Sequence, residues 1–259
     1  MNYTTIVVAE NPPIRTITLH RPERRNAMTT EMQMELIAAM EDATASNCRV
    51  LVLAGAGEAF CSGLDLSELQ AMRGKTALEH RAESERIARL FLSLYEFPVP
   101  TIAAVHGAAI AGGTGLATIC DFTVATPEAK FGFTETRIGF VPALVSAFLA
   151  LQIGDKRSRD LLLTGRLFDA QEALRLGLVN EVVPQEELAQ RVQALAEILI
   201  ANSPQSLSAT KRLMATQNRP WLDAAILAAM EANAQARETP DFREGLAAFL
   251  EKKKPVWTK

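Results

Sequence analysis

Residues 108–121 read AAIAGGTGLATICD, a short apolar strand that hands over to an apolar helix through a pair of glycines, Gly112 and Gly113. A helix that starts there, near Gly113, exposes its unpaired N–H groups and the positive end of its dipole, which favour negative charge. Two readings of the glycine pair stand open. It is a backbone site for a developing or full negative charge, or it permits close packing of strand on helix.

Working outward, proline at 98 and 100 ends a long helix over 76–97 and leaves TIAAV, 101–105, as a strand before the glycines. Beyond them, 122–125 reads as a second strand and 131–133 as a brief third. Upstream, 3–8 and 14–19 are β-rich runs around Glu10, Asn11, Pro12 and Pro13, which predicts a hairpin. Thr30 with Gln33 suggests a capping box for a helix over 31–46, where Met32, Leu36, Ala39 and Ala43 recur at helical spacing. RVLVLA, 49–54, has the continuous apolar character of a buried strand, and the glycines of 55–66 (GAGEAFCSGLDL) predict a loop followed by a short helix over 64–72. Leu144, Phe148 and Leu151 or Gln152 share a helical face; 156–164, 170–176 and 187–200 read as helices, with a short strand at 181–183. From Pro204 onward strand signals stop, and helices are expected over 204–216, 222–237 and 242–252, separated at Arg219/Pro220 and Thr239/Pro240.

Composition narrows the function classes. The 259 residues suffice for a full core, and no apolar run reaches the ~20 residues of a membrane helix. No secretory signal is visible, so the mature chain is expected to start near Met1 and to be cytoplasmic, with no membrane partner. A net charge of −3, from 27 basic and 30 acidic residues, implies no broad surface for nucleic acid. Cys48, Cys61 and Cys120 are odd in number and widely spaced, which fits buried thiols better than disulfides or zinc. His20, His80 and His106 have neither metal-site spacing nor a nucleophile-elbow context, and no metal is expected. Gly55 and Gly57 lack the spacing of a nucleotide loop.

Chemistry is left to backbone donors and carboxylates. FCSGLDL offers a second exposed backbone segment at Gly63, and two N–H groups converging on one oxygen would stabilise an enolate or tetrahedral anion. In FGFTETRIGFVP, 131–142, Glu135 lies among apolar residues; partial burial would raise its pKa into the range of a general acid/base. An ion pair of Glu135 with Arg137 or another cation is the equal alternative.

Taken in order, HRPERRNAM, GEAFCSGLDL, AAVHGAAIAGGTGLATICD, FGFTETRIGFVP, LLLTGRLFDAQEALRLGLVNEVV and FLEKKKP closely resemble the crotonase superfamily, the enoyl-CoA hydratase/isomerase family, over nearly the whole chain. The resemblance implies an α/β fold, a spiral of repeated ββα units over 1–202, with a helical C-terminal trimerisation module over 203–259. It implies an acyl-CoA thioester as substrate, with CoA part of the substrate and no separate cofactor, and a homotrimer or a homohexamer of paired trimers. By resemblance the oxyanion donors are the backbone N–H groups of Ser62 and Gly112. Ser62, Gly63, Leu64, Asp65 and Leu66 line the CoA site, Arg24 and Arg25 lie near the CoA phosphates, and Glu135 matches the second of two catalytic glutamates. Asp121 matches a structural aspartate. The lysines at 252–254 either meet a phosphate or form a solvated helix end. The segments 69–97 and 140–150 are expected to shape the acyl pocket.

Two departures stand out. The first glutamate is replaced by Gly115, and VPALVSA stands where many relatives carry a glycine-rich run. Hydration of a 2-enoyl-CoA is the first expectation; double-bond isomerisation with Glu135 as sole acid/base is the second, because it needs only one carboxylate. A non-catalytic CoA-binding or RNA-binding scaffold is the reading of another class, opposed by the retained Glu135, the retained loop glycines and the acidic net charge.

Overall fold

The computed structural model describes residues 3–44, 46–71 and 74–257, with the backbone alone for Leu66. Met1 and Met72, named above as a start and a helix end, lie outside the described residues. Strands β1 (Ile6–Asn11) and β2 (Ile14–Leu19) pair antiparallel in register from Ile6 opposite Leu19 to Asn11 opposite Ile14. The first strand begins three residues later than its β-rich composition suggests. The N–H groups of Thr4 and Thr5 are claimed at 2.7 and 2.8 Å by the Glu35 carboxylate of α1 (Thr30–Thr44) instead of by a strand. The expected Thr30/Gln33 capping box is also absent: Thr29 Oγ1 caps Met32 N–H, while Thr30 and Gln33 bond Glu68 and Arg86.

Three successive ββα turns follow. β3 (Val50–Gly55) and β4 (Ala59–Cys61) lead to α2 (Leu66–Ala71) and α3 (Ala77–Tyr95); β5 (Thr101–Val105) and β6 (Ala108–Ile110) lead to α4 (Gly112–Ile119); β7 (Phe122–Ala125) and β8 (Lys130–Gly132) lead to α5 (Ala143–Thr164). In each turn the first strand joins a six-stranded sheet, β1-β2-β3-β5-β7-β10, and the second joins a four-stranded sheet, β4-β6-β8-β9, completed by β9 (Leu167–Asp169) and β10 (Glu181–Val182). All pairings are parallel except β1/β2 and β8/β9. This repeated traverse is the expected α/β spiral. β4 and β9 are three-residue strands in stretches without a strand signal.

Alternate side chains of β3 explain its continuous apolar run. Leu51 and Leu53 enter the main core with Phe60, Phe91 and Phe131, whereas Val50 and Val52 pack on Val192, Leu195 and Leu199 of α7 (Leu188–Ile200). A strand buried on both faces has no polar alternation. α6 (Ala170–Leu176) joins β9 to β10. Gly154, at φ 76° and ψ 164°, interrupts α5 and divides it into the two helical stretches read from the sequence.

The C-terminal part departs from expectation at Pro220. α8 (Pro204–Ala236) is one helix with Pro220 inside it, not two helices separated there. Interior proline costs about 3 kcal/mol through its missing N–H and its clash with the preceding turn. Here packing outweighs that cost. Leu222, Ile226 and Ala229 are buried, Trp221 Nε1 donates to the Ala147 carbonyl (3.2 Å), and Asn218 Nδ2 donates to the Tyr95 hydroxyl (2.8 Å). Lys211 reaches Asp121, whose carboxylate also accepts from Thr101 N–H (2.8 Å), so α8 is tied to the start of β5. α9 (Pro240–Leu250) ends the fold, packing Phe242 on Phe140 with ring centroids 5.0 Å apart.

Candidate active site

Strands β4, β6 and β8 lie side by side and parallel, so their C-terminal ends open at one edge of the small sheet. Just past those ends come Ser62, Gly112 and Glu135 respectively. All three line one cavity of about 680 Å³.

At the β6–α4 junction Ala111 adopts φ 53°, ψ −122°, a conformation that costs an L-residue about 1–3 kcal/mol. It is held by its N–H donating to the Gly132 carbonyl at 2.7 Å. The turn points the start of α4 into the cavity, and Gly112 N–H has no hydrogen-bond partner among the described residues. The two glycines divide the two readings between them. A Cβ on Gly113 would lie 2.2 Å from the Cys61 carbonyl oxygen, so Gly113 serves close packing; a Cβ on Gly112 would meet only the flexible tip of Met28, at 2.8 Å. Gly112 is the open donor.

The facing loop is stitched to the segment 21–28. Asn26, fully buried, accepts from Arg21 N–H and donates to the carbonyls of Ala56 and Ala59; Met28 N–H donates to Gly63 O (2.7 Å), and Asp65 N–H to Met28 O (2.9 Å). This lattice accounts for the HRPERRNAM stretch. It also occupies a proposed donor: Ser62 N–H donates to the Arg25 carbonyl at 3.0 Å. Of the pair named from sequence, Gly112 is free and Ser62 is shared with Arg25. Leu64, Asp65, Arg24 and Arg25 line the cavity, the two arginines being exposed at its mouth. Asp65 is held by Arg21 (2.8 Å) and by Ser67 N–H (2.9 Å), which keep its carboxyl below the ordinary range despite burial. Gly63, at φ 91°, does not line the cavity, and the side chain of Leu66, the first residue of α2, lies outside the described part of the structure. Lys253 does; its ammonium is 2.8 Å from Glu251.

Glu135 opens a 3-10 turn, Glu135–Ile138, that Gly139 (φ 67°) terminates. Its Oε2 is buried without a partner, no ion pair with Arg137 or another described cation forms, and burial pushes the carboxyl up to about 7 against a small opposing contribution from its own backbone N–H. The cavity's other carboxylates differ: Asp65 is bonded and Glu23 is exposed. Glu135, half-buried with one buried and unpaired carboxylate oxygen, is thus the cavity carboxyl whose pKa lies nearest neutral.

The wall that replaces a second carboxylate is hydrocarbon. Gly115 is buried, and a Cβ there would stand 2.7 Å from Val145 Cγ1 and 3.1 Å from Phe91 Cζ. Leu69, Ile87, Phe140 and Leu144 extend this surface, within the two segments expected to shape the pocket. Among the described residues no group of three His, Cys, Asp or Glu side chains could hold a metal. The histidines serve structure: His80 is buried against Arg237, and His106 Nε2 is 2.8 Å from Gly57 O.

The family model described as Enoyl-CoA hydratase/isomerase matches residues 9–259. The chain belongs to the enoyl-CoA hydratase/isomerase family. Its relatives include a Thermus thermophilus protein named "Putative enoyl-CoA hydratase", 43% identical over 251 residues that span 96% of this chain and 99% of that one. Among solved structures, an enoyl-CoA hydratase/isomerase from Xanthobacter autotrophicus Py2 superposes with TM-score 0.89 at 31% identity, covering 97% of each chain. An enoyl-CoA hydratase from Mycobacterium avium gives TM-score 0.88 at 32% identity over the full length of both. Family membership implies an acyl-CoA thioester as substrate. Sequence reading covered Val145 only within VPALVSA and the segment 140–150, and did not name Asn233 among the pocket residues. Asn233 carried a signal, as the polar member of the stripe Leu222, Ile226, Ala229, Asn233 and Ala236, all buried on α8.

Proposed function

We propose that this protein moves the double bond of a 3-enoyl-CoA thioester to the conjugated 2-position, with Glu135 as the sole acid/base. The observation that carries the proposal is one carboxylate, Glu135, with a buried and unpartnered Oε2, lining a cavity whose Gly115 side is filled by Val145 and Phe91. In the forward step the Glu135 carboxylate removes a proton from C2 and the electron pair moves to the thioester oxygen. Gly112 N–H stabilises that oxyanion, joined by Ser62 N–H when the Arg25 carbonyl shares it. The carboxylic acid of Glu135 then delivers the same proton to C4, and the carbonyl re-forms. A water nucleophile needs two to four polar partners to be held in place, and the apolar wall offers none. Loss of one oxyanion donor should cost about 3 kcal/mol of barrier.

Hydration of a 2-enoyl-CoA, first in order from sequence alone, is the second reading, favoured by the names of the relatives. Here Glu135 would activate the water and return its proton to the α-carbon. We assign Arg24, Arg25 and Lys253 to the CoA phosphates; the place of Lys253 on the cavity lining supports the phosphate reading of the lysine run. We assign 203–259 to oligomerisation, because Leu213, Met214, Trp221, Leu227 and Phe249 leave large apolar side chains exposed there. Free thiols at Cys48, Cys61 and Cys120 support a reducing compartment such as the cytoplasm.

Crotonyl-CoA and a 3-enoyl-CoA offered in parallel decide the reaction through the absorbance of the conjugated thioester. Gain of conjugation from the 3-enoyl substrate, abolished in Glu135→Gln, is expected. Loss of conjugation from crotonyl-CoA without any migration in the 3-enoyl substrate would overturn isomerisation in favour of hydration.

A further inference from the structure

One polar side chain is set into the hydrocarbon part of the cavity. Asn233 of α8 is 5% exposed and lines the cavity together with Leu69, Ile87, Phe91 and Phe140. One end of its amide meets α3, where Ser84 Oγ lies 2.9 Å from Asn233 Oδ1 and 3.0 Å from the His80 carbonyl. The other end of the amide has no hydrogen-bond partner among the described residues. That end is not among the fully buried unpaired polar atoms and so stays open to the cavity, where a ligand that displaces solvent must supply a hydrogen-bond partner or leave the amide unpaired.

The register of α3 on α8 places this group along the cavity. Tyr95 meets Asn218, Ser84 meets Asn233 and His80 meets Arg237, so the two helices run antiparallel. Phe91, which packs beside Gly115, is seven residues from Ser84, or about 10 Å along α3 at 1.5 Å per residue. One turn of α8 further on, the Arg237 guanidinium is fully buried. It bonds Glu83 at 2.8 Å and stands over Phe140, a cavity residue, at 5.7 Å, with Nε and Nη2 unpartnered. Lys75 pairs with the same Glu83, so two cations share that carboxylate, with Glu79 and Glu238 also near the cluster.

We propose that the acyl pocket is built for a chain bearing an oxygen function at its far end, hydrogen-bonded by the Asn233 amide, and not for a plain alkyl chain. The helical register puts Asn233 about 10 Å beyond the level of Phe91 along α3, a span of about eight carbons in an extended chain. A terminal hydroxyl satisfies either orientation of the amide; a terminal carboxylate satisfies the NH2 orientation, the one that remains when Oδ1 accepts from Ser84. The inference rests on the acyl-CoA reading above and specifies the substrate class within it. A site built to hydrogen-bond a substrate oxygen discriminates strongly against the analogue that lacks it.

Binding of saturated, unreactive thioesters tests this without reference to the reaction. Calorimetry compares octanoyl-CoA, 8-hydroxyoctanoyl-CoA and the mono-CoA thioester of octanedioic acid on the full-length protein. At least one oxygenated thioester is expected to bind about tenfold or more tightly than octanoyl-CoA. Asn233→Leu should erase that ratio while leaving octanoyl-CoA affinity equal or higher, and Ser84→Ala, which frees the amide to turn, should reduce it with a smaller change in packing. Carboxylate preferred over hydroxyl assigns the NH2 to the cavity; the reverse assigns the carbonyl, and both support the proposal. Equal binding of all three thioesters, or a ratio that survives Asn233→Leu, overturns this inference alone. Failure of every thioester to bind removes the acyl-CoA reading and this inference with it.

Discussion

Replacing Glu135 by glutamine should change catalysis and stability in opposite directions, and pH should reveal both. The carboxyl rises from 4.5 to about 7 because burial disfavours its charged form. At about 1.36 kcal/mol per pH unit, that difference corresponds to about 3 kcal/mol as an upper figure. Between pH 4.5 and 7 the folded protein holds a proton that the unfolded chain has released, so stability falls as pH rises across this window and levels above it. In the proposed isomerisation the same ionisation creates the base that removes the C2 proton, so kcat/KM should climb about tenfold per pH unit below 7 and then level. Glu135→Gln carries no ionisable group. It should lose about 10²–10⁴ in turnover, keep its CoA-thioester affinity, and exceed the wild type in stability above pH 7 by up to about 3 kcal/mol. Urea unfolding at pH 5 and pH 8, with kcat/KM over the same range, measures both limbs. A rate limb near pH 4.5, or a glutamine variant as active as wild type, would refute the reasoning.

Two further substitutions test the walls. Gly115→Glu must displace Val145, whose Cγ1 would be 2.7 Å from the new Cβ, so it should destabilise the fold by about 1–3 kcal/mol from overpacking; pairing it with Val145→Ala should recover part of that loss in thermal unfolding, and failure to recover would show that the clash lies elsewhere. Gly113→Ala brings a Cβ to 2.2 Å from the Cys61 carbonyl oxygen and should yield little folded protein, whereas Gly112→Ala, which meets only the Met28 tip, should fold normally; circular dichroism of both variants checks the contrast.

The legible parts of the chain were those where local chemistry and tertiary environment agree. The hairpin, β3, β5, β7 and the start of α4 each carry turn residues, apolar runs or glycines that only one conformation uses well. β4 and β9, at three residues each, are too short to display a period, and their strand state comes from neighbours supplied by other turns of the spiral. Pro220 points locally to a break, but the contacts of α8 with α3 and α5 decide otherwise. At the site, the apolar setting of Glu135 was visible in its flanking residues. The engagement of Ser62 N–H by Arg25 was not, since a backbone-to-backbone contact between distant segments leaves no trace in side-chain identity. The filling of the Gly115 side by Val145 was equally hidden, because it depends on how α4 and α5 meet.

The cavity draws on nearly the entire chain, from Glu23 and Arg24 through Ser62, Gly112 and Glu135 to Asn233 and Lys253. On a ribosome, Ser62 and Gly112 emerge long before the helix that carries Asn233 and the segment that carries Lys253. A nascent chain halted after α5 would hold the proton-transfer group with its pocket still unroofed. Contacts of such wide sequence separation form slowly and late, so acyl-CoA turnover should appear only with the finished polypeptide, as a step at the end of synthesis and not as a gradual gain.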